Sequence, residues 1–209
     1  MVTMVMAEGR FITFEGGEGV GKSTQLPLVG AELERRGYPV VLTREPGGTD
    51  LGNEIRSILL DGAVDKMSPM TEALLFTAQR SHHVEKVIKP ALAAGKIVVS
   101  DRYAGTTFAY QGYAHGLGVD KVEELYRFVF GDFKPDLTIV FDVPEGRAHG
   151  SLTDINRFES LGDEWLAKGL DGFREMARRN PERCVLMDST GSIPEVTARI
   201  MEIIDGKFR

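Results

Sequence analysis

Short apolar runs alternate with longer amphipathic stretches along most of the chain. The first run alternates apolar and polar residues in a β-prone segment, and the later runs are almost continuously apolar, as in strands buried on both faces. The predicted strands are Arg10–Glu15, Val40–Thr43, Ile97–Ser100, Leu137–Phe141 and Val185–Met187. Between them, apolar residues recur at helical spacing, for example at Leu26, Val29 and Leu33. This alternation predicts a parallel sheet covered by helices on both faces, which is an α/β fold of three layers.

Polar and charged residues directly follow the predicted strands. The segments concerned are Thr43–Thr49, Asp101–Tyr103, Asp142 and Asp188–Thr190. Ligands of parallel sheets bind beyond the carboxyl ends of the strands. The sequence therefore predicts one ligand site at this edge of the sheet.

The segment after the first strand, Gly16–Ser23, has the pattern G-x-x-x-x-G-K-S. Its glycines let successive backbone N–H groups turn inward and bind phosphate oxygens, where a Cβ would prevent close approach. Lys22 can reach terminal phosphates, and the Ser23 hydroxyl can bind Mg²⁺. An ordinary glycine-rich turn is the alternative, but a strand before the loop and an amphipathic helix after it favour a phosphate-binding loop.

Composition narrows the class of protein. The chain has 209 residues and a net charge of −6, which fits a single domain over residues 1–209 and argues against a general nucleic-acid-binding surface. A basic pocket inside an acidic shell is still compatible with that charge. The lone Cys184 excludes an intrachain disulfide and fits a reducing cytoplasm, and no apolar run is long enough for a membrane span. The four histidines lack metal-ligand spacing, and we expect them on the surface.

Asp101 and Arg102 directly follow the third predicted strand. A carboxylate at Asp101 could hold Mg²⁺ directly or through water, opposite Ser23. The alternative is that Asp101 only caps the segment that follows it. The planar, permanently charged guanidinium of Arg102 suits a second phosphate at the same place.

These motifs resemble those of the bacterial thymidylate kinase family over nearly the whole chain. The segments that carry the resemblance are Phe14–Thr24, Arg44–Thr49, Asp101–Tyr103, Ala109–Gly112 and Pro135–Thr138. The resemblance implies a three-layer α/β/α P-loop kinase with a five-stranded parallel sheet and a short lid at about residues 144–160. It also implies phosphoryl transfer from ATP to dTMP with Mg²⁺, giving dTDP and ADP, by a cytoplasmic homodimer. The helices around residues 70–94 and 119–130 are expected to form the dimer contact, because they are too apolar for two solvated surfaces.

The resemblance also assigns roles to residues. It implies that ATP is bound by Gly16, Gly17, Glu18, Gly19, Val20, Gly21, Lys22, Ser23 and Thr24. Ser23 and Asp101 would hold the metal, and Arg44, Arg56 and Arg102 the acceptor phosphate. The alternative for Arg56 is an ordinary solvated arginine on the surface of an amphipathic helix. The carboxylate of Glu18 would be repelled by phosphates, so we expect it to bind a different group. The resemblance implies that this group is the 3′-hydroxyl of dTMP.

The thymidine pocket is implied to contain Phe76, Arg80, Thr107, Tyr110 and Gln111. Phe76 and Arg80 are four residues apart and share one helical face, so a ring could stack on thymine while a guanidinium donates to its carbonyl oxygen. Without the resemblance, Phe76 would be a core residue. Tyr110 would crowd the 2′ side of the sugar and disfavour ribonucleotides.

The segment before the implied lid departs from the family pattern. Residues 143–150 are shorter than usual by a few residues and contain Arg147 as their only arginine. Lys22, Arg102 and Arg157 are the expected catalytic cations, and Arg157 depends most on this segment, because it would reach the site from the lid. An ordinary surface arginine is its alternative. Two other functions stay open: a different nucleoside monophosphate kinase, and a nucleotide-binding switch that transfers no phosphate.

Overall fold

A five-stranded parallel sheet forms the centre of the computed structural model, which describes residues 8–61, 67–143 and 162–208. The strands are β1 (Arg10–Gly16), β2 (Val40–Arg44), β3 (Ile97–Asp101), β4 (Leu137–Asp142) and β5 (Cys184–Asp188). Their order across the sheet is β2-β3-β1-β4-β5. The five predicted strands are confirmed, and each extends one residue further at its carboxyl end than the apolar pattern indicated.

Helices flank the sheet on both faces. They are α1 (Lys22–Arg35), α2 (Asp50–Leu60), α3 (Pro69–His83), α4 (Lys89–Ala93), α5 (Ala104–Thr107), α6 (Val119–Phe130), α7 (Asp163–Arg179) and α8 (Ile193–Phe208). The stretch expected as one helix around residues 70–94 contains a π-helical segment, Val84–Ile88, between α3 and α4. A second π-helical segment, Phe108–Ala114, follows α5. None of the helices that the structure describes has the length and apolar character needed to cross a membrane.

The three central strands, β1, β3 and β4, are buried on both faces, as their apolar sequences predicted, whereas the edge strands β2 and β5 are partly exposed. Phe11 and Ile12 are adjacent in β1, point to opposite faces and are 1% and 0% exposed. Ile12 lies in a cluster with α1 and α8, whereas Phe11 packs with residues that precede β3 and with Tyr103. The three-layer α/β/α arrangement is therefore confirmed for the described residues.

Strand register brings the motif segments together. In β1, β2 and β3 the residues Phe14, Arg44 and Asp101 are aligned across the ladder, close to where each strand ends. Gly16 ends β1 beside Phe141, where a Cβ would lie 2.6 Å from the Phe141 carbonyl oxygen. The glycine loop, the Arg44–Thr49 segment and Asp101 thus meet at one edge of the sheet.

Candidate active site

A cleft of about 380 Å³ opens at this carboxyl edge. From the glycine loop and its helix it is lined by Glu18, Gly19, Gly21, Lys22, Ser23 and Thr24. The other sequence-predicted residues that line it are Arg44, Arg56, Phe76, Asp101, Arg102, Tyr110 and Gln111. Gly16, Gly17, Val20, Arg80 and Thr107 do not line it.

Lys22 begins α1 and is almost fully buried at 5% exposure. Its ammonium group donates hydrogen bonds to the carbonyl oxygens of Gly16, at 3.1 Å, and of Gly17. Burial and, after it, the nearby Arg102 charge lower the pKa of Lys22 to about 8. The lysine is therefore held at the loop as a poorly neutralised cation, which favours an anionic ligand.

Ser23 and Asp101 are in direct contact. The Ser23 hydroxyl donates to Asp101 Oδ2 at 2.6 Å, and Asp101 Oδ1 is buried without a hydrogen-bond partner in the described part of the chain. A hydroxyl and a carboxylate oxygen are hard oxygen donors of the kind that Mg²⁺ prefers. The residues present therefore fit a magnesium ion.

Arg102 and Glu18 form an ion pair across the cleft. Arg102 Nη2 donates to Glu18 Oε1 at 2.6 Å, and Nη1 donates to Gly16 O at 2.9 Å and to Thr106 Oγ1 at 3.1 Å. Arg102 has a φ of 68°, which is uncommon for a residue with a Cβ and turns its side chain back toward the loop. The Arg102 charge lowers the pKa of Glu18, so this carboxylate stays ionised. Arg102 is thus the partner that the carboxylate in the phosphate loop required.

Arg44 and Arg56 add further positive charge to the cleft. Arg56 Nη1 donates to the Pro46 carbonyl oxygen at 2.9 Å, and the side chain is half-buried. Burial and then the Arg44 charge lower the pKa of Arg56. Two guanidinium groups that repel each other favour an anion between them, which an ordinary solvated helix arginine would not.

Aromatic residues form the deeper wall. Phe76 and Tyr110 are 3% and 5% exposed, and both line the cleft. Burial raises the pKa of Tyr110 to about 12, so its hydroxyl stays protonated. Gln111 Nε2 donates to Glu72 Oε2 at 2.9 Å, which orients the amide of Gln111.

Arg80 and Thr107 lie behind this wall. Arg80 is 2% exposed, and its Nη2 donates to Tyr103 O at 2.9 Å and to Thr107 Oγ1 at 3.1 Å. Both residues line a second cavity of about 520 Å³, which also contains Thr13 and Thr138 of the sheet. This cavity is larger than the cleft but includes no residue of the glycine loop. The convergence of phosphate-binding groups, and not size, therefore identifies the cleft as the candidate active site.

Comparison with known proteins agrees with this geometry. The sequence model of the family described as thymidylate kinase matches residues 14–200. The chain belongs to the thymidylate kinase family. Thymidylate kinases of Synechococcus sp. (strain JA-3-3Ab) and Rhizorhabdus wittichii are 45% and 43% identical to it, over 93% and 94% of this chain and 94% and 97% of theirs. The solved thymidylate kinase structure from Ehrlichia chaffeensis is 33% identical, with a TM-score of 0.79, and the match covers 94% of this chain and 99% of that one.

One important residue of this family member was missed from the sequence. Glu45 is 2% exposed and accepts hydrogen bonds from Arg80 Nε at 2.7 Å and from Gln79 Nε2 at 3.1 Å. Its other oxygen is hydrogen-bonded to His83 Nδ1 at 2.9 Å. The available signal was its place in the Arg44–Thr49 run, directly after Arg44, which was already assigned to the acceptor phosphate.

The surface expectation for the histidines is wrong for His83. It is fully buried, and its Nε2 is hydrogen-bonded to Thr43 Oγ1 at 2.7 Å. Two polar partners satisfy both ring nitrogens, which makes burial tolerable. His82 and His115 are half-buried. His149, the expected lid at 144–160 and Arg157 lie outside the residues that the structure describes for this thymidylate kinase family member.

Proposed function

We propose that this protein is a dTMP kinase, which transfers the γ-phosphoryl group of ATP to the 5′-phosphate of dTMP and yields dTDP and ADP. The observation that carries the proposal is a single cleft in which a phosphate-binding loop with Lys22 faces a second cationic group of Arg44, Arg56 and Arg102. Two polyanions must meet for this reaction, so cations on both sides are required to offset their repulsion.

On the donor side, the backbone of residues 16–24 binds the phosphates of ATP, and Lys22 contacts the terminal ones. On the acceptor side, Arg44, Arg56 and Arg102 bind the phosphate of dTMP. The Glu18 carboxylate accepts a hydrogen bond from the 3′-hydroxyl, which is compatible with its contact to Arg102 because a carboxylate oxygen accepts more than one hydrogen bond.

In the thymidine pocket, Phe76 stacks on the thymine, Gln111 binds its edge and Tyr110 lies against the sugar. We assign Arg80 and Thr107 to the same pocket as support from behind the wall, since Arg80 already donates to Glu45, Tyr103 and Thr107. Arg157 is retained as the proposed transition-state cation from the lid.

Ser23 and Asp101 would hold Mg²⁺. The support is the buried, unpartnered Asp101 Oδ1 beside the Ser23 hydroxyl. A magnesium ion held there would supply positive charge that offsets the negative charge of the phosphates. Chelation with a slight excess of EDTA is expected to abolish turnover, and Mg²⁺ is expected to restore it.

We also propose a cytoplasmic homodimer. The support is exposed apolar surface on three neighbouring helices, with Ile58 of α2 at 45%, Leu74 of α3 at 50% and Phe128 of α6 at 89% exposure. A second copy covering them would remove this surface from water. Light scattering is expected to give a dimer mass for the wild type and a smaller one for Phe128→Asp. A wild-type monomer at micromolar concentration would contradict the dimer.

ADP formation by the purified protein tests the function. ATP and Mg²⁺ are supplied with dTMP, dUMP, dCMP, dGMP or no acceptor. Fast ADP release with dTMP and slower release with dUMP is expected. Preference for another acceptor would favour a different monophosphate kinase, and one slow rate under all conditions would favour a nucleotide-dependent switch.

A further inference from the structure

Three residues of α7 pack against the ring of Tyr110, and none of the three lines the cleft. Trp165 stacks on it, with ring centroids 4.7 Å apart and planes at 11°. Phe173 meets it edge-on at 5.6 Å and 85°. Between them, Gly169 is so close that a Cβ there would lie 2.3 Å from Tyr110 Cε1.

The three residues that contact Tyr110 lie on one face of α7. Trp165, Gly169 and Phe173 are four residues apart along α7 and therefore lie above one another on the same side. Gly172 adds a second close approach, because a Cβ there would lie 2.7 Å from Ala109 Cα. Helix α7 thus packs directly on the backbone and ring of the π-helical segment that carries Tyr110.

Tyr110 itself lines the cleft, together with Arg102. Its ring therefore lies between α7 and the cleft, and its depth in the cleft depends on how closely α7 approaches.

We propose that Trp165 and Gly169 are positioning residues which set the depth of the Tyr110 ring in the cleft and thereby strengthen the exclusion of a 2′-hydroxyl from the sugar site. The inference rests on the proposed dTMP kinase function. A ribonucleotide can enter only if the ring retreats toward α7, and the stacked Trp165 blocks that movement. A side chain at Gly169 has the opposite effect, because it pushes the ring toward the substrate.

Selectivity for the sugar tests this proposal. The ratio of kcat/KM for dTMP to that for ribothymidine 5′-monophosphate is measured for the wild type, Trp165→Phe, Trp165→Leu and Gly169→Ala. Loss of the aromatic pair in Trp165→Leu is expected to lower the ratio about two- to tenfold, and Trp165→Phe is expected to retain most of it. Gly169→Ala is expected to raise KM for both substrates.

Gly206→Ala is the matched control for Gly169→Ala. Gly206 is also a helical glycine, in α8, and a Cβ there meets nothing within 4 Å. It should leave both kinetic constants at their wild-type values. A lower melting temperature in Trp165→Leu with an unchanged substrate ratio would overturn the proposal and make Trp165 a purely structural residue.

Fluorescence separates this inference from the function itself. Trp165 is the only tryptophan of the chain, so its emission reports directly on the stacked ring. Without any nucleotide, Tyr110→Leu is expected to change the emission of Trp165, and an unchanged spectrum would refute the contact. Wild-type protein that fails to phosphorylate dTMP would refute the kinase proposal instead, whatever this spectrum shows.

Discussion

Two arginine–glutamate pairs lie at the wall of the cleft, and they differ chiefly in exposure. Arg102 and Glu18 are 2.6 Å apart, with side chains 11% and 32% exposed. Arg80 and Glu45 are 2.7 Å apart, with side chains 2% and 1% exposed. The same two residue types, at nearly the same distance, therefore occur once in a partly exposed pair and once in a fully buried pair. Glu45 also lines the cleft, but both of its carboxylate oxygens are already hydrogen-bonded to buried side chains.

The difference shows what each pair can contribute. A fully buried pair is costly to break, because removal of one partner leaves an uncompensated charge in the interior. Glu45 is further tied to Gln79 and His83, so the network joins the Arg44–Thr49 segment to α3. The cleft pair is partly exposed, chiefly at Glu18, so a ligand can exchange with one of its contacts at a lower cost. We infer that one region supports the fold and the other binds substrate.

The largest expected effect concerns Lys22, the buried cation of the cleft. Lys22→Met is expected to reduce kcat by about 10²- to 10³-fold, because it removes a fixed positive charge from the transferred phosphate. The free energy of unfolding should stay level or rise, since a buried charge is replaced by an apolar side chain of similar length. Steady-state kinetics and urea unfolding check the two parts. Strong destabilisation of the fold by Lys22→Met would mean that Lys22 supports the fold and would contradict its role as a substrate-binding cation.

A smaller effect is expected from pH. The pKa of Lys22 is about 8 in the free protein, and bound phosphates should raise it, because they favour the charged form. Above pH 8 the free lysine loses its proton and ATP binding must take one up, so ATP affinity should fall by up to about tenfold per pH unit. Calorimetry in two buffers of different ionisation enthalpy measures this proton uptake. Lys22→Met should show no such uptake, and a flat wild-type affinity from pH 7 to about 10 would refute the assignment.

The smallest effect on stability is expected in the segment that connects the cleft to the buried Glu45 network. Thr49 ends the segment that contains both Arg44 and Glu45, and its hydroxyl accepts the Gly52 N–H at 3.0 Å at the start of α2. Thr49→Ala is expected to lower the free energy of unfolding by about 1 kcal/mol. Ser68→Ala removes the equivalent cap of α3, from Thr71 N at 3.1 Å, and provides a control of the same kind. A larger loss in Thr49→Ala than in Ser68→Ala would indicate that the junction itself is strained.

The sequence alone predicted the strands and the phosphate-binding loop, because these features depend on local patterns of residues. Apolar runs predicted the five strands of the described sheet, because a strand that is largely buried leaves a continuous apolar signal in its own sequence. The phosphate loop and the segments after β2 and β3 were found because parallel strands bring their carboxyl ends to one edge. The residues that line the cleft from these segments follow from that rule.

The sequence did not predict whether a residue lines the cleft or the second cavity behind it. Phe76 and Arg80 share a helical face, yet Phe76 lines the cleft and Arg80 lines the second cavity. That division depends on Glu45, which is 35 positions away along the chain. The burial of His83 and the stacking of Trp165 on Tyr110 likewise depend on distant partners. Such pairings arise from tertiary packing and have no local pattern.

Glu18→Gln and Glu45→Gln, measured side by side for urea unfolding and for dTMP kinetics, test the division between the two pairs most directly. We predict that Glu45→Gln lowers the free energy of unfolding by about 3–5 kcal/mol. Glu18→Gln should lower it by less than about 1 kcal/mol and raise KM for dTMP about tenfold, through loss of a charged hydrogen-bond acceptor. Equal destabilisation by both substitutions, or an unchanged stability in Glu45→Gln, would contradict the account.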